Sequence, residues 1–302
     1  MSYDLFFRKR SAEKQISYND LADYFEEREW YEVGDNQFVY TNDDTDVYFV
    51  FDYTGEDEED SDDESGSEND PTALPVAFNL NYYRPHIFGL EAETEVTAFV
   101  RHFDLLISDP QSDGMGDGEY SPEGFLKGWN AGNEFGYQAI LGREDSDEEP
   151  LTLPTETIEA VWRWNFERDA FYEEIDDDIF IPSVIFLLQE ETIQSVAMWP
   201  DGIPTAIPKV DLVMMPRQEL GPDGHQEEID YLLLPYADVE PLLANFPEGE
   251  RHLPYRKLSY QTPPDDVREF FQNGKSNEVD LKRVAMDAIL NAELVEKYGK
   301  PS

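Results

Sequence analysis

The side chains best suited to acid–base or metal chemistry in this 302-residue chain are four histidines, His86, His102, His225 and His252, set among 68 Asp and Glu. No two histidines stand three or four positions apart, so no helix face offers a paired imidazole site, and no H-E-x-x-H occurs. A metal site would have to be built almost wholly of carboxylate. His86 after Pro85 and His102 beside Phe103 read as surface or core-edge residues, not as general bases. The chain has no cysteine, which removes thiolate ligands, thiol nucleophiles and disulfides. No G-x-S-x-G elbow presents a serine. Carboxylate pairs such as those of glycosidases are uninformative, because so many acids supply every spacing. The glycines of Gly114-Met115-Gly116-Asp117-Gly118 lack the Lys-Ser/Thr of a phosphate loop and lie among acids that would repel a phosphate. The expected chemistry is therefore binding, with no catalytic residue, no cofactor and no metal.

Charge says what would be bound. Only 22 Lys and Arg offset the acids, for a formal net charge of -46. Such a field repels nucleic-acid phosphates and anionic lipid, and the clusters Arg8-Lys9-Arg10, Arg256-Lys257 and Lys282-Arg283 are too small to reverse it. No nucleic-acid or membrane partner is expected. Two tracts are extreme: Glu56 to Asp70 holds ten acids in fifteen residues and Glu144 to Glu149 five in six. Together they account for only about a third of the net charge, so the acidity belongs to the whole surface. Three explanations compete. A carboxylate-rich, lysine-poor exterior keeps a protein hydrated, as in adaptation to high salt. It also steers and holds a basic protein partner. Metal storage is the third, but Asp60-Ser61-Asp62-Asp63-Glu64-Ser65-Gly66 lacks the glycine at position six that a calcium loop requires.

With 5 Trp, 17 Tyr and 19 Phe the chain has rings enough for a core, which excludes a disordered acidic tail. At the N-terminus the apolar Leu5-Phe6-Phe7 precedes Arg8-Lys9-Arg10, the wrong order for a signal peptide. The longest apolar run, Ile179 to Leu188, is interrupted by Pro182. A cytoplasmic location is expected.

The elements that must position a binding surface follow from periodicity. Ser17 after Ile16 and four before Leu21 marks a helix start, and a helix over 18–29 follows with Leu21, Tyr24 and Phe25 on one face. Phe38 to Tyr40 and Val47 to Tyr53 form a hairpin across Asn42-Asp43-Asp44-Thr45-Asp46. The tract 56–70 reads as a disordered loop. Val76 to Tyr82 is a strand, a helix lies over 91–102, and Leu105 to Ile107 is a short apolar segment, giving the order β-α-β-β-β-α-β. From Ser108 a long surface loop is expected, followed by a short helical segment from Phe125 to Gln138 carrying Phe125, Trp129 and Phe135. The expected class is α+β, with mixed or antiparallel sheets and packed helices, as one compact body in two halves, 1–143 and 150–302. In the second half a helix spans 155–175, strands occupy 180–215, and the apolar stripe Leu281, Val284, Ala285, Ala288, Ile289, Ala292, Val295 predicts a helix capped by Asn277. The residues expected to meet a partner are Asp43, Asp44 and Asp46 of the hairpin turn, Glu144, Asp145, Asp147 and Glu148 of the second acidic tract, and Trp162 and Trp164; since apolar residues surround much of the helix 155–175, it reads either as a central buried helix or as an aromatic ridge that meets the partner.

Several stretches carry a resemblance: Ser2-Tyr3-Asp4-Leu5-Phe6-Phe7, Thr45-Asp46-Val47-Tyr48-Phe49-Val50-Phe51, Asn81-Tyr82-Tyr83-Arg84-Pro85, Gly128-Trp129-Asn130 to Gly136-Tyr137, and Trp199-Pro200 to Pro208-Lys209-Val210-Asp211. The chain resembles uncharacterised cytosolic bacterial proteins that accompany interbacterial toxins as their immunity partners. That resemblance implies an α+β protein that neutralises a toxin domain by occluding its active site. It implies no catalytic residue and transfers no inhibitory position. The alternatives are a sensor or enzyme of a bacterial defence system and a housekeeping protein adapted to high salt.

Overall fold

The computed structural model describes residues 1–55, 70–143, 150–175, 178–221, 230–275 and 281–299. The fold is α+β with mixed antiparallel and parallel sheets and packed helices. The chain forms two compact units, Met1–Thr155 with Ile289–Ser302, and Glu156–Ala288. Among the described residues no helix is long and apolar enough to cross a membrane.

The first unit begins with β1 (Ser2–Lys9), whose alternation buries Tyr3, Leu5 and Phe7 and turns Phe6 outward. Helix α1 (Tyr18–Glu26) starts at a capping box: Ser17 Oγ accepts from the Asp20 amide while the Asp20 side chain accepts from the Ser17 amide. Strands β2 (Tyr31–Val33), β3 (Gln37–Asn42), β4 (Val47–Tyr53) and β5 (Ala73–Asn81) follow, then α2 (Ile87–Phe103), β6 (Leu105–Asp109), β7 (Gly116–Gly118), α3 (Pro122–Leu141) and the short β8 (Thr152–Leu153). The sheet runs in the order β2-β3-β4-β5-β1-β6-β7, every pair antiparallel. One sheet face is apolar. On it Phe51 meets Phe7, Phe78 and Phe99 at 6.1, 5.3 and 5.0 Å between ring centres. Each such pair contributes about 0.5–1.5 kcal/mol beyond the area it buries. The opposite face carries Ser2, Asp4 and Phe6 of β1 beside Asn79 and Ala77 of β5.

The hairpin, the strand β5 and both helices stand where the periodicity predicts them, while β2 and β7 are additional. The region 108–118 is not simply a loop, since β7 pairs Gly118 with Ile107 and Asp117 with Ser108. The short helical segment is in fact the 20-residue α3, with Ser121 capping the Gly124 amide and Pro122 in its first turn. Its glycines are spaced for close approach. A Cβ at Gly132 would stand 1.9 Å from Tyr82 Cε1, and one at Gly128 would stand 2.8 Å from the Tyr3 hydroxyl. Phe125 and Trp129 are buried as the segment requires, but Phe135 points outward and is 58% exposed.

The second unit opens with α4 (Thr155–Phe166, its first residue still in the first unit) and α5 (Arg168–Glu174) in place of one helix over 155–175. The break falls at Glu167, whose carboxylate accepts from His252 Nε2 at 2.8 Å and pairs with Arg251 at 3.3 Å. Strands β9 (Val184–Gln189), β10 (Thr192–Met198), β11 (Thr205–Pro208), β12 (Leu212–Arg217) and β13 (Asp230–Pro235) follow, then α6 (Tyr236–Leu243), β14 (Glu248–Glu250), β15 (Pro254–Leu258), α7 (Asp265–Asn273) and β16 (Lys282–Val284). The main sheet has the order β13-β12-β10-β9-β16, with β10 and β12 parallel. β11, β15 and β14 form a second, three-stranded sheet. Helix α4 is tied to the main sheet by polar side chains. Asn165 Nδ2 donates to Val184 O at 2.9 Å, and its Oδ1 accepts from Val184 N at 2.8 Å.

The C-terminal stripe is not one helix. Val284 pairs with Phe186 in β16, a 3-10 turn covers Met286–Ala288, and the chain rejoins the first unit through β17 (Leu290–Asn291), parallel to β8, and α8 (Ala292–Tyr298). The same apolar spacing is satisfied by a strand in one unit and a helix in the other. Asn277, the expected cap, and residues 56–69 of the acidic tract lie outside the described residues.

Candidate protein-interaction surface

The hairpin turn joining β3 to β4 is fixed from beneath by one carboxylate. Glu91 of α2 is fully buried, and its Oε1 accepts from the Tyr40 hydroxyl at 2.7 Å, Asn42 Nδ2 at 2.8 Å and Thr45 Oγ1 at 3.0 Å. Burial first, and the Glu91 charge second, hold the Tyr40 hydroxyl well above the ordinary tyrosine range, so it stays a donor. The turn backbone is equally constrained. Asp46 N donates to Asn42 O at 2.8 Å, Asp44 N donates to Asn42 Oδ1 at 2.9 Å, and Asp46 adopts φ 55°. Short polar side chains tolerate that left-handed conformation, which is why an Asn-Asp-Asp-Thr-Asp sequence can make this turn.

The result is a rigid loop carrying three carboxylates. Asp43 is exposed, and Asp44 and Asp46 are half-buried. Just beyond them Tyr48 is 36% exposed, with its ring edge-on to Phe88 at 5.5 Å. The Arg84 guanidinium lies 5.3 Å from the centre of the Tyr48 ring and also donates to its hydroxyl. Three of the expected contact residues are thus brought together on one preformed turn.

The others are not. Trp162 and Trp164 are 3% and 1% exposed. Trp162 stacks on Phe166 at 5.2 Å, and Trp164 donates to Pro182 O at 2.8 Å while its ring meets Phe171 and Tyr255. These are core residues, and the expected aromatic ridge is corrected accordingly: α4 is apolar around much of its circumference because neighbours cover it on several sides. Glu144, Asp145, Asp147 and Glu148 lie outside the described residues. The histidines His86, His102 and His252 are dispersed, each against a different partner. Among the described residues no group of three or more His, Asp or Glu is arranged to hold a metal ion.

Sequence reasoning missed Glu91, which looked like one more acid on a helix. Its signal was there: it lies among Ile87, Phe88, Ala92 and Val96 on a stripe that must face the core. It also missed the outward face of the five-stranded sheet, where Met198 and Tyr231 are 40% and 50% exposed. Compared with family models, with curated proteins and with solved structures, the chain matches none of them.

Proposed function

We propose that the protein is a stoichiometric binder of a basic protein, acting as an immunity protein that occludes the active site of a toxin domain. The observation that carries this reading is the turn Asn42–Val47, which holds the carboxylates of Asp43, Asp44 and Asp46 on a backbone fixed by Glu91. A preformed anionic loop loses little entropy when it meets a cationic surface. The net charge of -46 adds long-range attraction that raises the association rate at low salt. The carboxylates would stand in for the negative groups of the toxin's own substrate.

The test is co-expression with the product of the adjacent reading frame, in a host that this product kills. The wild-type chain is expected to restore growth, and the triple change Asp43→Asn, Asp44→Asn, Asp46→Asn to slow association about tenfold at low salt. Full rescue and unchanged association by the triple variant would remove the turn from the mechanism. Failure of the wild-type chain to protect would remove the immunity reading.

A further inference from the structure

We infer that the outward face of the five-stranded sheet is where the basic partner is held, with one aliphatic side chain of that partner as its anchor. This rests on the basic-partner reading above and adds the docking face to it.

The sheet register divides its side chains into two sets. Val213 and Met215 of β12 share a face with Leu234 and Leu232 of β13, and Val213, Met215 and Leu232 are 0% exposed. On the other face Met198, Met214 and Leu233 stand side by side, as do Ile185 and Val196. Here Met198 is 40% exposed and Tyr231 50%, with Ile185, Met214 and Leu233 half-buried. One face is buried throughout; on the other Leu187, Val196 and Leu212 are buried by their neighbours, and Met198 and Tyr231 are exposed. The small cluster of Leu187, Val196 and Leu212 at its centre has Ile185, Met214, Leu233 and Leu281 packed against it, all from the same unit. Exposed Met198 and Tyr231 beside half-buried Ile185, Met214 and Leu233 offer apolar surface to a partner.

At one end of the face is a cavity of about 90 Å³ between Phe180, Pro182, Ile185, Val196, Met198 and Met214. It has room for one branched aliphatic group, and two methionines can reshape its wall around different anchors.

The charge selects the occupant. A second copy of the chain would set -46 against -46, and phosphate-bearing partners meet the same repulsion. Acids stand at one end of the face: Glu190 and Glu191 in the turn between β9 and β10. A partner's lysines and arginines are directed to that turn. The partner that fits has an aliphatic anchor with cations to one side of it. Long-range attraction by the net charge sets the rate of association, and the sheet face sets the rate of dissociation.

The experiment uses the full chain with methyl-labelled methionine and two synthetic probes at low salt, a peptide of alternating leucine and lysine and an oligolysine of equal charge. The methyl signals of Met198 and Met214 are expected to shift with the leucine–lysine peptide, while those of Met1 and Met115 stay in place. Met198→Glu is expected to weaken that peptide at least tenfold, mainly through faster dissociation. Tyr231→Glu, at a residue with half its surface in water, is expected to act in the same direction without unfolding the sheet. If the peptide binds with shifts confined to Met1 or Met115, or binds both variants as tightly as the wild type, the docking face is wrong and the basic-partner reading stands. If neither probe binds at low salt, the basic-partner reading fails and takes the docking face with it.

Discussion

Asn291 holds His86 through two hydrogen bonds across 205 positions of sequence: its Oδ1 accepts from the His86 amide at 3.0 Å and its Nδ2 lies 2.7 Å from His86 Nδ1. Asn291 is 1% exposed, and its Nδ2 also donates to Thr155 Oγ1 at 2.9 Å while its own amide donates to the Tyr137 hydroxyl at 3.2 Å. With Nδ2–H as donor, the His86 ring accepts at Nδ1, so its proton sits on Nε2. A single residue thereby ties the C-terminal segment to the start of α2, to α3 and to Thr155 at the start of α4.

Replacing Asn291 by Ala should therefore cost about 3 kcal/mol, because several buried donors and acceptors lose their partner at about 1–3 kcal/mol each. Hydrogen exchange is the discriminating measurement: amides of α8 should lose protection before those of β1 and β5. Equal loss across the whole unit would mean that the C-terminal segment is not held chiefly by this residue.

Glu91 should separate charge from geometry. Glu91→Leu strands the Tyr40, Asn42 and Thr45 donors in the core and should lower stability by about 3 kcal/mol or more, whereas Glu91→Gln keeps an acceptor oxygen and should lose less. Urea unfolding of both variants gives the comparison. A leucine variant as stable as the glutamine one would show that the turn does not depend on that carboxylate.

Trp164→Ala should destabilise the protein by about 3–5 kcal/mol, through lost packing and the lost bond to Pro182 O. The variant's remaining folded fraction should bind the leucine–lysine peptide as the wild type does, since this ring is in the core. Weaker binding at unchanged stability would return Trp164 to the contact surface.

Alkaline pH should unfold the first unit cooperatively. Tyr3, Tyr31 and Tyr40 have hydroxyls raised well above the ordinary 10.0, by burial first and then by the charges of Asp109, Glu95 and Glu91 respectively. In the unfolded chain they ionise near 10.0, whereas in the fold they keep the proton. Their stabilisation is full below pH 10.0 and is lost as the pH rises past that value toward the folded-state ones. Tyrosinate absorbance and circular dichroism should change together above pH 10. Ionisation of all seventeen tyrosines with the dichroism intact would contradict this.

At Gly132 even one methyl group should be felt. Its Cβ would stand 1.9 Å from the Tyr82 ring, which must shift, and overpacking of this kind costs about 1–3 kcal/mol. The helix propensity gained by Gly132→Ala, about 1 kcal/mol, acts in the opposite direction. A net loss in thermal stability that disappears when the same change is made in a Tyr82→Ala background would identify the clash with the ring as the cause.

What the sequence determined by itself is local. Ser17 and Asp20 define the start of α1 within four residues, and strict alternation through Val47, Phe49 and Phe51 leaves only a strand with one buried face. Asn42 to Asp46 has the short polar side chains of a turn, so the turn that carries Asp43, Asp44 and Asp46 was legible, whereas its support by Glu91 was not. The tertiary structure decided where long-range partners stand. Periodicity from Leu281 to Val295 reads as a helix because spacing counts apolar positions and not what covers them. Val284 found Phe186 in one unit and Leu290 found Thr152 in the other, and the stripe divided between them. In the same way the apolar neighbours of Trp162, Trp164 and Glu91 in the chain allow burial without saying what covers them. Burial is supplied by elements tens of residues away, and it turned two expected anchors into core and one anonymous acid into the support of the turn.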